Sequence, residues 1–241
     1  MAYGFFIDTT LCMGCRGCQV ACKQWHDLPA ENTVNKGTYQ NPPDLSFNTY
    51  KLVRMREEMI GGNLHWLFFP AQCRHCLEAP CLEFVKDDQA IYRDVFTGAV
   101  IFTSKTKDYD KEEIRNVCPY NVPRADENGI SAKCDMCADR VHNGELPACV
   151  KTCPTGAMNF GELETMKALA KKRLDEVSKK SPDASLIDPD DISVIYLVEY
   201  KPEMYAESAN GLKPSQDITR KAALRRLVKP IAKNVSGFLT I

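Results

Sequence analysis

Apolar and polar positions alternate in short stretches over the first two thirds of the chain, which is typical of short strands joined by tight turns. The aromatic and apolar residues of Tyr3–Asp8 predict the first strand. Two pairs of β-prone runs are separated by glycine-containing turns and predict hairpins. These are Tyr50–Met55 with Leu64–Phe69, around Gly61 and Gly62, and Ala90–Arg93 with Ala99–Thr103, around Gly98.

The pattern changes after Gly161. Apolar residues there recur at helical spacing and predict an amphipathic helix within 162–180. They are Leu163, Met166, Leu169, Ala170 and Leu174. The polar segment 181–191 predicts a loop, and Ile192–Tyr200 predicts a strand. Residues 201–241 hold few apolar side chains, so we expect an extended tail that either lies along a partner or is disordered.

Composition excludes several classes of function. The chain has 241 residues, of which 44% are hydrophobic, and a net charge of -1. This balance gives no basic surface for nucleic acid or an anionic membrane. The longest apolar runs fall far short of the roughly 20 residues that span a bilayer, so we expect no transmembrane anchor. The first residues lack a basic start and a long apolar stretch, so we expect no secretory signal.

Twelve cysteines dominate the candidate chemistry, and they fall into four groups along the chain. The groups are Cys12, Cys15, Cys18 and Cys22; Cys73, Cys76 and Cys81; Cys118; and Cys134, Cys137, Cys149 and Cys153. The first group has the spacing C-x2-C-x2-C-x3-C, which is the bacterial run that holds an iron–sulfur cluster. Proline follows both Cys118 and Cys153, and a Cys-Pro ending belongs to the same run.

Disulfide bridges and zinc are the two alternatives to iron–sulfur clusters for these cysteines. A disulfide framework is typical of small secreted domains, and cysteines two or three residues apart close loops too short to stabilise much. A zinc ion prefers two separated C-x2-C pairs, and Cys134 and Cys137 with Cys149 and Cys153 fit that pattern. Three thiolates within seven residues crowd a single small ion, however. The spacing therefore favours iron–sulfur clusters, with zinc as the alternative.

In two-cluster ferredoxins the fourth cysteine of each run binds the cluster of the other run. Applied to the first and last groups, this rule predicts two sets of ligands. One set is Cys12, Cys15, Cys18 and Cys153, and the other is Cys22, Cys134, Cys137 and Cys149.

The inner cysteines form only half of a second pair of runs. Cys73, Cys76, Cys81 and Cys118 make one complete set of four. The same spacing places the ligands of another cluster at Val85, Asp108, Lys111 and Ile114, none of which is a cysteine. The twelve cysteines thus predict three [4Fe-4S] clusters, with a fourth site deleted as a whole.

No motif for catalysis accompanies these cysteines. The chain has no glycine-rich phosphate loop and no nucleophile motif, so we expect no catalytic residue. Its four histidines show no metal-ligand spacing to one another. His75, between Cys73 and Cys76, is expected to be a structural or surface residue, with a hydrogen bond to a cluster as the alternative.

The motifs CMGCRGCQVACKQWH, CRHCLEAPC, CPYNVPR and KCDMCADRVHNGELPACVKTCPTGAM, between Tyr3 and Gly161, resemble the electron-transfer (beta) subunits of molybdopterin oxidoreductases. That family commonly carries four clusters, and its membrane-bound members add a transmembrane helix. With one ligand set missing and no spanning segment, the chain is most similar to the small subunit of soluble molybdenum or tungsten formate dehydrogenases from anaerobic bacteria.

The resemblance implies an α+β fold of two nested ferredoxin-like modules. Residues 1–60 and 125–161 would form an outer module with two clusters, 61–124 an inserted module with one, and 162–241 a helix, strand and tail. It also implies a heterodimer with a large catalytic subunit that alone carries the Mo/W-bis-molybdopterin. The expected acceptor is soluble, such as a c-type cytochrome. Another molybdopterin reductase or a hydrogenase-type complex is the alternative partner, and a zinc-stabilised interaction protein is the alternative class.

The expected location also follows from the resemblance. Clusters of this family are assembled in the cytoplasm, so a chain without an export signal either stays there or is exported folded with its partner. Similarity to the soluble formate enzymes favours the periplasm, reached with a partner that carries a twin-arginine signal. The cytoplasm is the alternative.

Overall fold

Short strands and short helices alternate along the chain, which the computed structural model describes over residues 2–35, 37, 39–206, 209 and 211. The strands are β1 Tyr3–Asp8, β2 Leu52–Ile60, β3 Asn63–Ala71, β4 Ile91–Arg93, β5 Val100–Phe102, β6 Arg124–Ala125, β7 Ser131–Ala132, β8 Met158–Glu162, β9 Ser185–Ile187 and β10 Val194–Val198. The helices are α1 Gly17–Trp25, α2 Pro80–Val85, α3 Lys111–Asn116, α4 Ala138–His142, α5 Ala148–Lys151 and α6 Leu163–Val177. The predicted α+β class is confirmed.

A four-stranded sheet in the order β8-β1-β10-β9 forms the main scaffold. β1 is parallel to β10 and antiparallel to β8. On one face, Phe6 and Ile195 pack against Ala170 of the predicted amphipathic helix, now α6. On the opposite face, Ile7 and Tyr196 share a core with two of the cysteines, Cys18 and Cys149. The sheet therefore separates α6 from the cysteine-rich side of the molecule.

The prediction that residues 181–191 form a loop was wrong in part. The segment 181–191 contains the edge strand β9, in which Ile187 pairs with Tyr196 of β10 and is 2% exposed. The surrounding Pro and Asp residues obscure this strand in the sequence, because three residues are too few to show an alternating pattern. Pairing with the fully buried β10 stabilises a strand that local sequence does not specify.

Both predicted hairpins are present. β2 and β3 pair from Leu52 with Ala71 at the base to Ile60 with Asn63 at the tip, and β4 pairs with β5. The first hairpin is longer than predicted, and its turn holds Gly61 and Gly62 at positive φ. The predicted module boundary at 60/61 falls in this turn, and the division into nested modules stays a prediction.

The beginning of the predicted tail packs on the chain's own core. Tyr205, Ala206 and Ala209 are buried against the sheet face that carries Tyr196. The remainder of the predicted tail, residues 212–241, lies outside the described residues. Within the part of the chain that is described, no helix has the length and apolar character needed to cross a membrane.

One carboxylate in the long connection between α1 and β2 bonds to two other segments of the chain. Asp44 accepts hydrogen bonds from Arg54 of β2 and Arg124 of β6. Burial alone would raise the pKa of Asp44, but the hydrogen bonds and charge of Arg124, and then of Arg54, lower it below the usual 3.8. Asp44 is therefore ionised throughout the physiological range and joins three segments of the chain.

We predict that Asp44→Asn lowers the free energy of unfolding by about 1 kcal/mol near pH 7, a magnitude set by the partial exposure of the pair. A carboxylate with a lowered pKa stabilises the fold above its unfolded-state pKa of 3.8 and loses that effect only as pH falls through its lower folded-state pKa. Urea unfolding midpoints measured between about pH 6 and 8 should thus show a constant difference. The exposed Asp190→Asn variant is the control, and a difference that changes across this range would contradict the prediction.

Candidate iron–sulfur centres

One pocket in the described structure is lined by four cysteine thiols from two distant segments. Three come from the loop that precedes α1 and its first turn, and the fourth from the connection between α5 and β8. They are Cys12, Cys15, Cys18 and Cys153. Ala157 and Met158 line the same pocket and are buried, whereas Cys15 is exposed. This first centre is therefore open to solvent on one side.

The second set of thiols lies where α1 packs against α5. Cys22 is on α1, Cys149 is on α5, and Cys134 and Cys137 precede α4. The last three lie close enough to Cys22 for its charge to raise the pKa of each thiol, after the larger effect of burial. Cys22 thus meets the cysteines of the last group, as the exchange rule predicts.

The third set joins the loop after β3 to the end of α3. Cys73, Cys81 and Cys118 each add to the effect of burial in raising the pKa of Cys76. Cys118, on the far side of the β4–β5 hairpin in sequence, is in turn affected by Cys73. The structure therefore brings together the three predicted sets of four thiols, and their binding of clusters stays a prediction at this point.

Neighbouring centres share their packing. Cys18 of the first set and Cys149 of the second lie in one hydrophobic core. Cys134 of the second set and Cys73 of the third lie in another. The three centres are thus linked in the order first, second, third, with the Cys22 set in the middle.

Three C-x-x-C loops, which begin at Cys12, Cys73 and Cys134, share one backbone conformation, and in two of them a backbone N–H group points at sulfur. The third residue of each loop has a positive φ: Gly14 at 67°, His75 at 47° and Met136 at 68°. In this conformation the N–H groups of His75 and Met136 donate to the Sγ atoms of Cys73 and Cys134, both at 3.4 Å. Concave arrangements of this kind bind anions and iron–sulfur clusters. For His75 and Met136, which are not glycine, the conformation costs about 1–3 kcal/mol each.

The raised pKa values of the buried thiols indicate that each centre needs a bound cation. All twelve are free, and burial raises the pKa of Cys12 to about 11 and those of Cys81 and Cys149 to about 12. Four adjacent thiolates repel one another, so a complete set ionises only around a multiply charged cation. All-sulfur donor sets suit both iron–sulfur clusters and zinc. The donor atoms therefore fit either of the two metal cofactors that the cysteine spacing left open.

The imidazole of His75 also fits beside an iron–sulfur cluster. It is fully buried, not at the surface, and its Nδ1 accepts a hydrogen bond from the Val100 N–H at 3.0 Å. Burial lowers the pKa of His75 well below its usual 6.5, so the neutral ring carries its proton on Nε2. Nε2 has no hydrogen-bond partner in the described structure. An acceptor such as a cluster sulfur beside Cys73 and Cys76 would satisfy this donor.

Comparison with known proteins decides between the metals. Residues 64–163 match the family model of the 4Fe-4S dicluster domain. The chain is 56% identical over 213 residues to formate dehydrogenase subunit beta of Megalodesulfovibrio gigas, covering 87% of this chain and 99% of the relative. It is 49% identical over 217 residues to formate dehydrogenase 2 subunit beta (cytochrome c-553) of Nitratidesulfovibrio vulgaris, with the same coverage.

A more distant relative is the formate dehydrogenase-O iron-sulfur subunit of Escherichia coli, with 35% identity over 240 residues, 94% of this chain and 76% of the relative. The chain belongs to the formate dehydrogenase beta subunits. The predicted family is confirmed, and the chain is a non-catalytic electron-transfer subunit with [4Fe-4S] clusters.

Two of the four positions at which the spacing predicts a further, deleted site are buried among apolar side chains. Val85 of α2 and Ile114 of α3 stand where the spacing would place two cysteines, and both are buried in one apolar cluster with Ala90 and Ile91. The helices α2 and α3 also contact each other. Apolar side chains thus occupy two of the four positions that the run spacing assigns to thiols, and the other two, Asp108 and Lys111, are exposed.

Two features of the beta subunit have no counterpart in the sequence patterns. His26 and Asp135 join the two sides of the second centre, with Nε2 3.0 Å from the Asp135 carboxylate and Nδ1 2.9 Å from the Cys22 carbonyl. Burial opposes protonation of His26, but Asp135 and then Cys22 raise its pKa to about 11. Lys51 is buried, and its charge acts on Cys18 of the first centre and Cys149 of the second. The ligand spacing does not single out any of the three: His26 and Asp135 lie within the quoted motifs as non-cysteine positions, and Lys51 lies outside them.

Proposed function

We propose that this beta subunit holds three [4Fe-4S] clusters, each on one of the sets of four thiols. The ligands are Cys12, Cys15, Cys18 and Cys153; Cys22, Cys134, Cys137 and Cys149; and Cys73, Cys76, Cys81 and Cys118. The observation that carries the proposal is the separate grouping of all twelve thiols into these sets. Family membership supports iron–sulfur clusters over zinc. When bound, each cluster accepts and releases one electron.

The subunit would conduct electrons from formate oxidation to an external acceptor. It would form a heterodimer with a large catalytic subunit, which carries the Mo/W-bis-molybdopterin. The linear order of the centres supports this role, because in the shared hydrophobic cores each end centre meets only the middle one. The relative from Nitratidesulfovibrio vulgaris is named with cytochrome c-553, which supports a c-type cytochrome as acceptor. Solvent exposure of Cys15 supports the first centre as one terminus of the route.

We expect formate alone to reduce the clusters of the complex purified anaerobically from its native host. EPR spectra recorded after adding formate should show reduced [4Fe-4S] signals, and spin integration should count three per beta subunit. Dithionite is the positive control, and acetate is the matched carboxylate control. Reduction by dithionite but not by formate would assign the subunit to another molybdopterin reductase or to a hydrogenase-type complex. Bound zinc without any iron signal would overturn the cluster proposal.

Replacing one ligand tests how the thiols are grouped. In the Cys118→Ala variant we expect the Cys73, Cys76 and Cys81 centre to be lost, because three thiolates from one segment lack the distant fourth ligand. The iron content should fall by about one third, and EPR should show two remaining signals. Asn116→Ala, an exposed change at the end of α3, is the control and should keep all the iron. Retention of every cluster in Cys118→Ala would contradict the assignment.

We infer a periplasmic location, reached by export of the folded subunit together with a signal-bearing catalytic partner. The c-type cytochrome named for the Nitratidesulfovibrio vulgaris relative supports an acceptor outside the cytoplasm. Fractionation of native cells should recover the beta subunit with a periplasmic marker enzyme. Recovery with a cytoplasmic marker instead would favour the cytoplasmic alternative.

A further inference from the structure

Lys51 is a buried cation at the base of the β2–β3 hairpin. It immediately precedes β2 and is 2% exposed. The register that pairs Leu52 with Ala71 sets Gln72 opposite Lys51, and the Lys51 ammonium donates a hydrogen bond to the Gln72 side-chain oxygen. Among the described residues, no carboxylate forms an ion pair with this ammonium. Its identified polar partner is therefore neutral.

A buried ammonium held only by a neutral amide is costly. Desolvation of one such ion costs several kcal/mol after relaxation of the protein, and a neutral partner does not offset that cost. Burial alone would lower the pKa of Lys51, yet the sulfur atoms around it, Cys149 and Cys18 foremost, raise that pKa above its usual value. A buried amine in this setting stays charged only where negative charge lies nearby, and the cysteine centres, each with four thiolate ligands when a cluster is bound, supply that charge.

The position of Lys51 joins two centres. Its charge lowers the pKa of Cys12 and Cys18 in the first set and of Cys149 in the second, each against the larger effect of burial. Packing agrees, because Cys18 and Cys149 lie in one core with Val53, two residues along the chain from Lys51. The side chain therefore lies beside both sets of sulfur atoms, at the place where one centre adjoins the next.

We propose that Lys51 is a positioning residue for electron transfer, a single fixed cation that raises the reduction potentials of the first and second clusters together. This inference rests on the proposed cluster assignment. Each cluster gains one electron on reduction and becomes one charge more negative, with the electron supplied by formate oxidation in the partner or by an added reductant. A nearby cation stabilises the reduced form more than the oxidised form.

Because the first and second clusters share one cation, Lys51 affects the electron step between them less than it affects either reduction potential. Because both potentials move in the same direction, the driving force for the electron step between the first and second clusters changes less than either potential alone. Lys133, by contrast, is a buried cation whose charge acts on Cys81 and Cys118 of the third set. The third cluster is thus biased by a different lysine from the one that the first and second clusters share.

The test is a potentiometric titration of the complete complex, monitored by EPR, with Lys51→Met. We expect two of the three reduction midpoints to fall, with the ratio of reduced to oxidised cluster decreasing about tenfold at fixed potential, which is about 59 mV for one electron. Lys51→Arg retains the charge and should restore both midpoints. Lys151→Met removes an exposed charge between Cys149 and Cys153 in sequence, and its midpoints should match those of the wild type because solvent screens that charge.

Several outcomes would overturn the inference. They are unchanged midpoints in Lys51→Met, a shift confined to one cluster, or an equal shift in Lys151→Met. If Lys51→Met fails to retain wild-type iron, Lys51→Gln provides a second neutral side chain that can still hydrogen-bond with Gln72. Loss of iron in both variants would assign Lys51 to assembly instead of tuning. Failure of the cluster assignment is separate, because the wild-type complex would then lack three EPR signals.

Discussion

Mutual repulsion among four sulfur anions is the constraint on which this structure depends. Each centre concentrates four thiols in a buried or half-buried space, where burial already disfavours ionisation. Three kinds of compensation surround them: a multiply charged metal core, backbone N–H groups aimed at sulfur, and buried cations such as Lys51 and Lys133. The short strands and helices bring these groups together. The fold is thus organised around charge as much as around apolar packing.

The backbone conformation of the cysteine loops also limits which residues suit the position before the second cysteine. His75 and Met136 adopt a conformation that glycine adopts more easily, as Gly14 does at the equivalent position of the first loop. The side chains at these two sites are fully buried, so packing offsets the local conformational cost. Where the spacing predicts a deleted fourth site, Val85 and Ile114 are instead packed in an apolar cluster, which carries no charge that would need compensation.

Much of the site was predictable from the sequence, because ligand spacing is a local property that one chain carries in full. The runs around Cys12 and Cys153, together with the exchange rule, predicted which thiols meet, and periodicity predicted α6 and both hairpins. The strand at Ile187 was not predictable, since pairing with β10 determines it. The role of Lys51 was not predictable either. It depends on the register of the β2–β3 hairpin and on Cys149, which lies about a hundred residues away in sequence. Properties that arise from tertiary neighbours leave no spacing pattern.

The three centres also differ in their exposure to small molecules from solution. Cys15 is exposed at the first centre, while Cys134 and Cys149 of the second are buried. Dioxygen that reaches a cluster oxidises it and releases iron, and its access follows the same opening that serves an electron acceptor. Damage in air should therefore begin at the first centre and interrupt the route at that end while the buried second centre is still intact. A partner protein seated over Cys15 would then act as a shield as well as a donor or acceptor.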